Sequence, residues 1–257
     1  MAANEYGSKK VYFASDFHLG VPSYEKSLER EKKLIRWLDL VSKDAEVIYL
    51  VGDIFDFWFE YHTVVPKHFV RLLGKLAELS DAGIAIQVFS GNHDMWLFDY
   101  FPEELKIPVH KQPIKVKHQG KTLFIGHGDG LGPGDIGYKF IKKVFSNPFC
   151  QWLFRWIHPD VGMRLANFWS GRSRKANPPV EQFLGEDNEW LYLYSREKAK
   201  KMPDVDYFVF GHRHLPLDMQ VAEHARYINL GEWLHHCSYG VLENGSFEVR
   251  YFEKDPL

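Results

Sequence analysis

Five short runs in this chain combine carboxylates, imidazoles and one carboxamide at spacings that suit a metal centre. They are Asp16-Phe17-His18, Gly52-Asp53-Ile54-Phe55-Asp56, Gly91-Asn92-His93-Asp94, Gly126-His127-Gly128-Asp129 and Gly211-His212-Arg213-His214. Asp, His and Asn offer oxygen and imidazole ligands with no thiolate. That set suits Mn²⁺, Fe or Zn²⁺ at a catalytic centre rather than a structural thiolate zinc. A two-ion centre needs one carboxylate that bridges ions about 3.5–4 Å apart, and Asp53 is the natural bridge. Asp16, His18 and His214 would then complete one ion's ligands, and Asn92, His127 and His212 the other's. Two ions so held would clamp a phosphoryl oxygen and acidify a shared water, which is the chemistry of hydrolysis at phosphorus. His93, next to Asn92, would protonate a leaving oxygen or stabilise charge on the phosphoryl group. Asp56 and Asp94 would orient the histidines. A lone histidine in such a match is more often a satisfied core residue, but five runs in order, each after an apolar stretch, are not explained that way.

Those apolar stretches, residues 11–15, 47–51, 84–90, 122–125 and 207–210, are four to seven residues long and read as buried strands. Helical patterns lie between the first three. Residues 24–42 place Leu28, Leu34, Ile35, Leu38 and Val41 near helical spacing, and residues 64–82 do the same with Phe69, Leu72, Leu73, Leu76 and Leu79. Strands alternating with helices indicate an α/β fold, in which the carboxyl ends of neighbouring strands converge on a ligand. The end of the chain differs. Residues 227–230, 238–242 and 247–252 read as strands, with Asn244-Gly245 turning the last pair into a hairpin. Residues 131–203 break the rhythm: they hold no convincing strand and read as a helical insertion within a single domain spanning 1–257.

The 257 residues, 45% hydrophobic and 26% charged, fit an ordinary soluble enzyme. A net charge of −2 gives the whole protein no pull toward nucleic acid or anionic lipid. Two cysteines, Cys150 and Cys237, without a CxxC pair, point to a reducing compartment. The polar first ten residues lack the apolar core of a signal peptide, and no run reaches the roughly 20 apolar residues of a membrane span. The expected location is cytoplasmic, with surface contact to a membrane allowed.

Charge is concentrated inside the insertion. Residues 138–175 hold eight basic side chains against one acid, Asp160, together with Trp152, Trp156, Trp169 and five phenylalanines. Cations beside large apolar groups suit an amphiphilic ligand or a membrane surface. They also suit single-stranded nucleic acid, or an ordinary helical hairpin with a buried aromatic face.

The five runs together resemble the calcineurin-like metallophosphoesterase superfamily. The resemblance implies two packed mixed β-sheets flanked by helices, an α/β/β/α sandwich, with a dinuclear site at the strand ends. Phe57 and Asp94 stand where the serine/threonine protein phosphatases of that superfamily carry Arg and Glu, which argues against that branch. From Gly126 to Leu131, then at Asp135, Tyr138, His158-Pro159-Asp160 and residues 170–177, the chain is similar to the UDP-2,3-diacylglucosamine pyrophosphohydrolases of lipid A synthesis. That resemblance implies a helical lid (131–203) over two divalent ions, Mn²⁺ being the usual metal. It also implies hydrolysis of a nucleotide–lipid pyrophosphate to UMP and 2,3-diacylglucosamine 1-phosphate at the inner face of the cytoplasmic membrane. By position, Asn92, His93, Asp135, Tyr138, Arg172, Ser173 and Asn177 would bind the sugar–phosphate part, and Phe140, Phe149, Phe154 and Trp169 the acyl chains. No nucleic-acid partner is expected. The best-known branch of that family has Arg where this chain has His93. A histidine there would also support alkoxide leaving groups, so the alternative is a phosphodiesterase for another lipid-linked, nucleotide or nucleic-acid phosphoester.

Overall fold

The computed structural model describes residues 9–132, 136–176 and 182–253; of the side chains at 136–138, 167 and 169–176 nothing is described. Eleven strands and seven helices follow one another among these residues. The first half reads β1 (Lys10–Ala14), α1 (Tyr24–Val41), β2 (Ala45–Val51), α2 (Val70–Asp81), β3 (Ala85–Phe89), α3 (Tyr100–Glu104), β4 (Val109–His110), β5 (Ile114–His118) and β6 (Lys121–Gly126). Three helices then stand outside the sheets: α4 (Ile136–Phe145), α5 (Pro148–Arg155) and α6 (Pro159–Ala176). The chain closes with α7 (Trp190–Lys201), β7 (Tyr207–Phe210), β8 (Pro216–Gln220), β9 (Arg226–Leu230), β10 (Ser238–Glu243) and β11 (Ser246–Tyr251).

The strands form two mixed sheets, ordered β11-β10-β1-β2-β3-β4 and β5-β6-β7-β9-β8. In the first, β1 to β4 run parallel and β10 joins β1 antiparallel; in the second, β6, β7 and β9 are parallel. Side-chain alternation along β1 explains the layering. Val11 and Phe13 point toward the other sheet, where Ile125, Val209 and Ile228 meet them. Tyr12 and Ala14 point the other way, into the layer with Leu34, Trp37, Leu72 and Leu76 of α1 and α2. A strand covered on both faces must be apolar throughout, hence continuous runs rather than alternating ones. The second sheet's outer face is covered by Leu191, Tyr192 and Ala199 of α7 against Phe208 and Phe210. Of the segment 131–203, α7 therefore belongs to the packed layer, while Phe140 of α4 and Phe149 of α5 stay exposed.

The structure corrects two local expectations. The helix expected over 64–82 begins at Val70: Pro66 interrupts the pattern, and Phe69 takes a left-handed φ of 50° at the N-cap. Glu31 of α1 meets the bare N-terminus of α2, accepting the Arg71 and Leu72 N–H groups at 3.0 Å. Strands β4, β5 and β8 also form. All three lie at or beside a sheet edge, where half-polar sequences such as Ile-Lys-Val-Lys-His need no continuous apolar run. The Asn244-Gly245 turn forms as expected, both residues at positive φ between Glu243 and Ser246.

Candidate two-metal site

Every expected ligand lies just past the carboxyl end of a strand: β1 for Asp16 and His18, β2 for Asp53, β3 for Asn92, β6 for His127, β7 for His212 and His214. The backbone turns sharply at these points. Asp16, His18, Asp53, His212 and His214 all have φ between 43° and 66°. This left-handed region is costly for a side chain with a Cβ, by about 1–3 kcal/mol each, and is tolerated where the surroundings hold it. The clamps are identifiable. Arg30 of α1, buried, donates Nε to the Phe17 carbonyl at 2.6 Å and a terminal nitrogen to the carbonyls of His18 and Val21 at 2.6 and 2.5 Å. Buried Asn229 donates its amide to the Gly211 carbonyl at 2.5 Å. Two glycines admit close approach: a Cβ on Gly91 would collide with the Asp53 carboxylate, and one on Gly211 with Ser15 and Asp16.

Two groups of ligand atoms result, each with its members within 4.8 Å of one another. One holds Asp16, His18, Asp53 and His214; the other holds Asp53, His127 and His212. Asp53 is common to both. Asn92 joins the second, its Oδ1 3.3 Å from His127 Nε2. Asp16 Oδ1 and Asp53 Oδ2 are buried and accept no hydrogen bond. Yet His214 Nε2 lies 3.1 Å from the first oxygen and His127 Nε2 3.3 Å from the second. Nitrogens and oxygens that close without hydrogen-bond alignment are converging on shared points. A buried carboxylate oxygen without a partner is strongly unfavourable unless a cation meets it, so the residues fit a pair of divalent ions. His127 Nδ1 faces the Val51 carbonyl at 2.9 Å; a carbonyl only accepts, so Nδ1 carries the proton and Nε2 keeps its lone pair for an ion.

The electrostatics agree. Burial opposes the Asp53 charge, but His127 and His93 beside it hold the carboxyl far below its usual range. Burial likewise opposes a charged His18, yet hydrogen bonds and charge from Asp16, Asp56 and Asp53 push it up to about 10. His212, buried and next to the His127 charge, is pushed down to about 4. The cluster thus recruits positive charge, and protons take that role when ions are absent.

The neighbours divide the remaining work. His93 donates its backbone N–H to Asp53 Oδ1 at 2.9 Å, and its Nδ1 meets the Asp56 carbonyl at 2.9 Å, which leaves Nε2 as the titrating atom. Asp56 supports His18, Oδ1 to Nδ1 at 3.6 Å. Asp94 acts differently from the expected histidine support: its oxygens accept the Gly91 and Ile54 N–H groups at 2.7 Å, tying the second and third motif loops together. Asp129 forms a half-buried ion pair with Lys142, which anchors α4 to the fourth motif.

Asp135 and Asn177 lie outside the described residues. Tyr138, Arg172 and Ser173 fall within α4 and α6, with side chains that are not described. Phe140 and Phe149 are 68% and 64% exposed and Trp156 is 75% exposed, so the aromatic face is open rather than buried in a hairpin. Phe154 instead packs on Phe59, ring centroids 4.5 Å apart. Sequence reasoning passed over Arg30, Asn229 and the pair formed by Arg213 with Glu189. Arg213 sits between two ligands and reaches away from them, its Nε and a terminal nitrogen each 2.8 Å from a Glu189 oxygen. A readable signal existed for Arg30 and Glu31: both fall on the buried stripe of α1 with Ser27, Leu34, Trp37, Leu38 and Val41, where unpaired charge is not tolerated.

Residues 9–216 match the model of the calcineurin-like phosphoesterases. The chain is 38% identical over 256 residues to a Porphyromonas gingivalis protein named UDP-2,3-diacylglucosamine hydrolase, covering 95% of this chain and 98% of that one. An Ectopseudomonas mendocina protein of the same name is 27% identical over 229 residues, covering 87% and 90% of the two chains. Among solved structures, Yfce, a phosphoesterase from E. coli, aligns with 95% of this chain and 93% of its own length at a TM-score of 0.43 and 19% identity.

Proposed function

Given that the chain belongs to the calcineurin-like phosphoesterase family, we propose that it is a metal-dependent hydrolase that cleaves the pyrophosphate of UDP-2,3-diacylglucosamine. The products are UMP and 2,3-diacylglucosamine 1-phosphate, as in lipid A biosynthesis. The observation that carries the substrate is the reach of the similarity. At 38% identity over 95% of this chain, it takes in the α4–α6 segment as well as the metal motifs. Motifs alone would support hydrolysis at phosphorus without choosing the ester.

In this reading Asp53 would be a ligand common to two divalent ions, Mn²⁺ by preference. Asp16, His18 and His214 complete one set of ligands; Asn92, His127 and His212 complete the other. When bound, the ions neutralise the phosphoryl oxygens and acidify the attacking water. The protein's own part is placement. Asp94 and Arg30 hold the loops, and the left-handed turns hold the ligand atoms converged before any ion arrives. Burial keeps His93 below its ordinary value despite the Asp53 charge, so its imidazole is neutral near pH 7 until an anionic phosphoryl group approaches. It then stabilises the charge shed toward the departing lipid phosphate. That phosphate, with a second pKa near about 6, leaves with little need of a proton.

The helices α4 to α6 act as the lid (within 131–203). Exposed Phe140 and Phe149 would take the acyl chains, and by sequence position Asp135, Tyr138, Arg172, Ser173 and Asn177 would bind the sugar phosphate. No described helix is long and apolar enough to cross a membrane. We place the protein peripherally on the cytoplasmic membrane's inner face, where basic side chains beside exposed Trp and Phe suit an anionic surface. The test is to supply UDP-2,3-diacylglucosamine and Mn²⁺ and measure UMP. Turnover of a generic phosphodiester with none of the lipid nucleotide would refute the substrate.

A further inference from the structure

A cavity of about 220 Å³ opens beside the metal cluster, walled by the loop after β1, the start of α1, the chain entering α2 and Met163 of α6. Asp56 forms its inner end and lies 3.6 Å from His18 Nδ1 and 3.8 Å from His93 Nδ1. The cavity therefore begins one side chain away from the place where phosphorus would react. Its mouth carries the exposed rings of Tyr24 and His68, with centroids 5.0 Å apart. Deeper in, Phe69 packs against Phe55 and Glu31 contributes a carboxylate. Glu31 uses Oε1 for both α2 amides, which leaves Oε2 to the cavity. His68 and Phe69 are consecutive bulky residues at φ 81° and 50°, a strained pair of the kind that concentrates where ligands are held.

The lining selects among ligands. An acyl chain would set Glu31 Oε2, which neither α2 amide uses, against hydrocarbon with no compensating bond. The volume is also below the roughly 300–1,000 Å³ of pockets that enclose drug-sized molecules. A nucleoside satisfies both features, since the faces of its planar base meet aromatic side chains and its base N–H and sugar hydroxyls meet carboxylate. We infer that this cavity is the nucleoside subsite. Uracil lies against Tyr24 and His68, the ribose hydroxyls donate toward Glu31, and the attached phosphate passes Asp56 to the two-ion cluster. The inference rests on the proposed function and adds an address for the half of the substrate that the lid aromatics do not serve.

The test is calorimetry on the full Mn²⁺-loaded chain with UMP and, separately, with inorganic phosphate, in wild type, Tyr24→Ala and His68→Ala. Both side chains are exposed, so neither truncation removes core packing. Base–aromatic stacking is worth about 1–3 kcal/mol, so each variant should raise the UMP Kd at least fivefold and leave the phosphate Kd within twofold. In turnover of UDP-2,3-diacylglucosamine, the KM should rise more than kcat falls. Unchanged UMP affinity in both variants overturns the subsite, as does a parallel loss of phosphate affinity. A wild type that releases no UMP from the lipid nucleotide overturns the functional reading and the subsite together. If the wild type releases UMP and the variants retain full UMP affinity, the subsite alone fails.

Discussion

Breaking the Arg213–Glu189 pair should disturb both stability and metal affinity, by amounts that follow from its geometry. The guanidinium is 8% exposed and the carboxylate 1%, with a nitrogen–oxygen distance of 2.8 Å. At an effective dielectric constant of about 20 the attraction is roughly 6 kcal/mol, much of it offset by desolvation of several kcal/mol per ion. The net value of the intact pair is therefore small, whereas removal of one partner strands the other charge. Arg213→Met or Glu189→Met alone should cost about 3–5 kcal/mol. The Arg variant also gives up the bond to the Gln182 carbonyl. The double Met variant, similar in volume and free of stranded charge, should recover most of the loss. Because Arg213 lies between His212 and His214, each single variant should also weaken ion binding about 10–100-fold. Urea denaturation of the chelated proteins and calorimetric titration with Mn²⁺ would measure both. Single losses below about 1 kcal/mol, or a double variant as unstable as the two singles summed, would refute the buried-pair reasoning.

Three further outcomes are expected. Asp53→Asn should lower metal content and cut UMP release at least about a thousandfold, the outcome expected of a carboxylate common to both ligand groups; near-normal turnover would exclude a bridging role. Gly74→Ala, mid-α2 with nothing within 4 Å of the new methyl, should stabilise by about 0.5–1 kcal/mol in thermal melts, whereas Gly211→Ala should abolish activity through collision with Ser15 and Asp16. The folded His18 value of about 10 exceeds the ordinary 6.5, so in chelated protein its stabilising effect is complete below pH 6.5 and is lost as pH rises through about 10. An ion must displace that proton, so Mn²⁺ affinity should climb across the same interval; a flat titration would be incompatible with His18 as a ligand.

The clustering of the expected ligands was legible because they occur in short runs at strand ends, and a run of Val, Ile and Phe covered on both faces leaves a strong signal. Supports such as Arg30, Glu31 and Asn229 were not, because each acts on backbone groups distant in sequence, and only the fold shows which carbonyls need a donor. Strands β4, β5 and β8 escaped for a related reason: lying at or beside an edge, they are half-solvated, and their sequences resemble loops. The aromatic segment was ambiguous by nature. Composition describes a buried face and an exposed one equally well, and the distinction lies in whether anything packs against Trp156.

The central position of β1 has a consequence for how the protein is made. Val11 pairs with Leu242 and Phe13 with Gly240, and the Trp233 amide bonds the Asp16 carbonyl. Strand β1 therefore waits through the synthesis of roughly 220 further residues before β10 can pair with it. At about 5–20 residues per second, that delay is roughly 10–50 s. Over that interval the apolar β1–β3 edge lies open next to the motif loops, a template for pairing with the wrong chain.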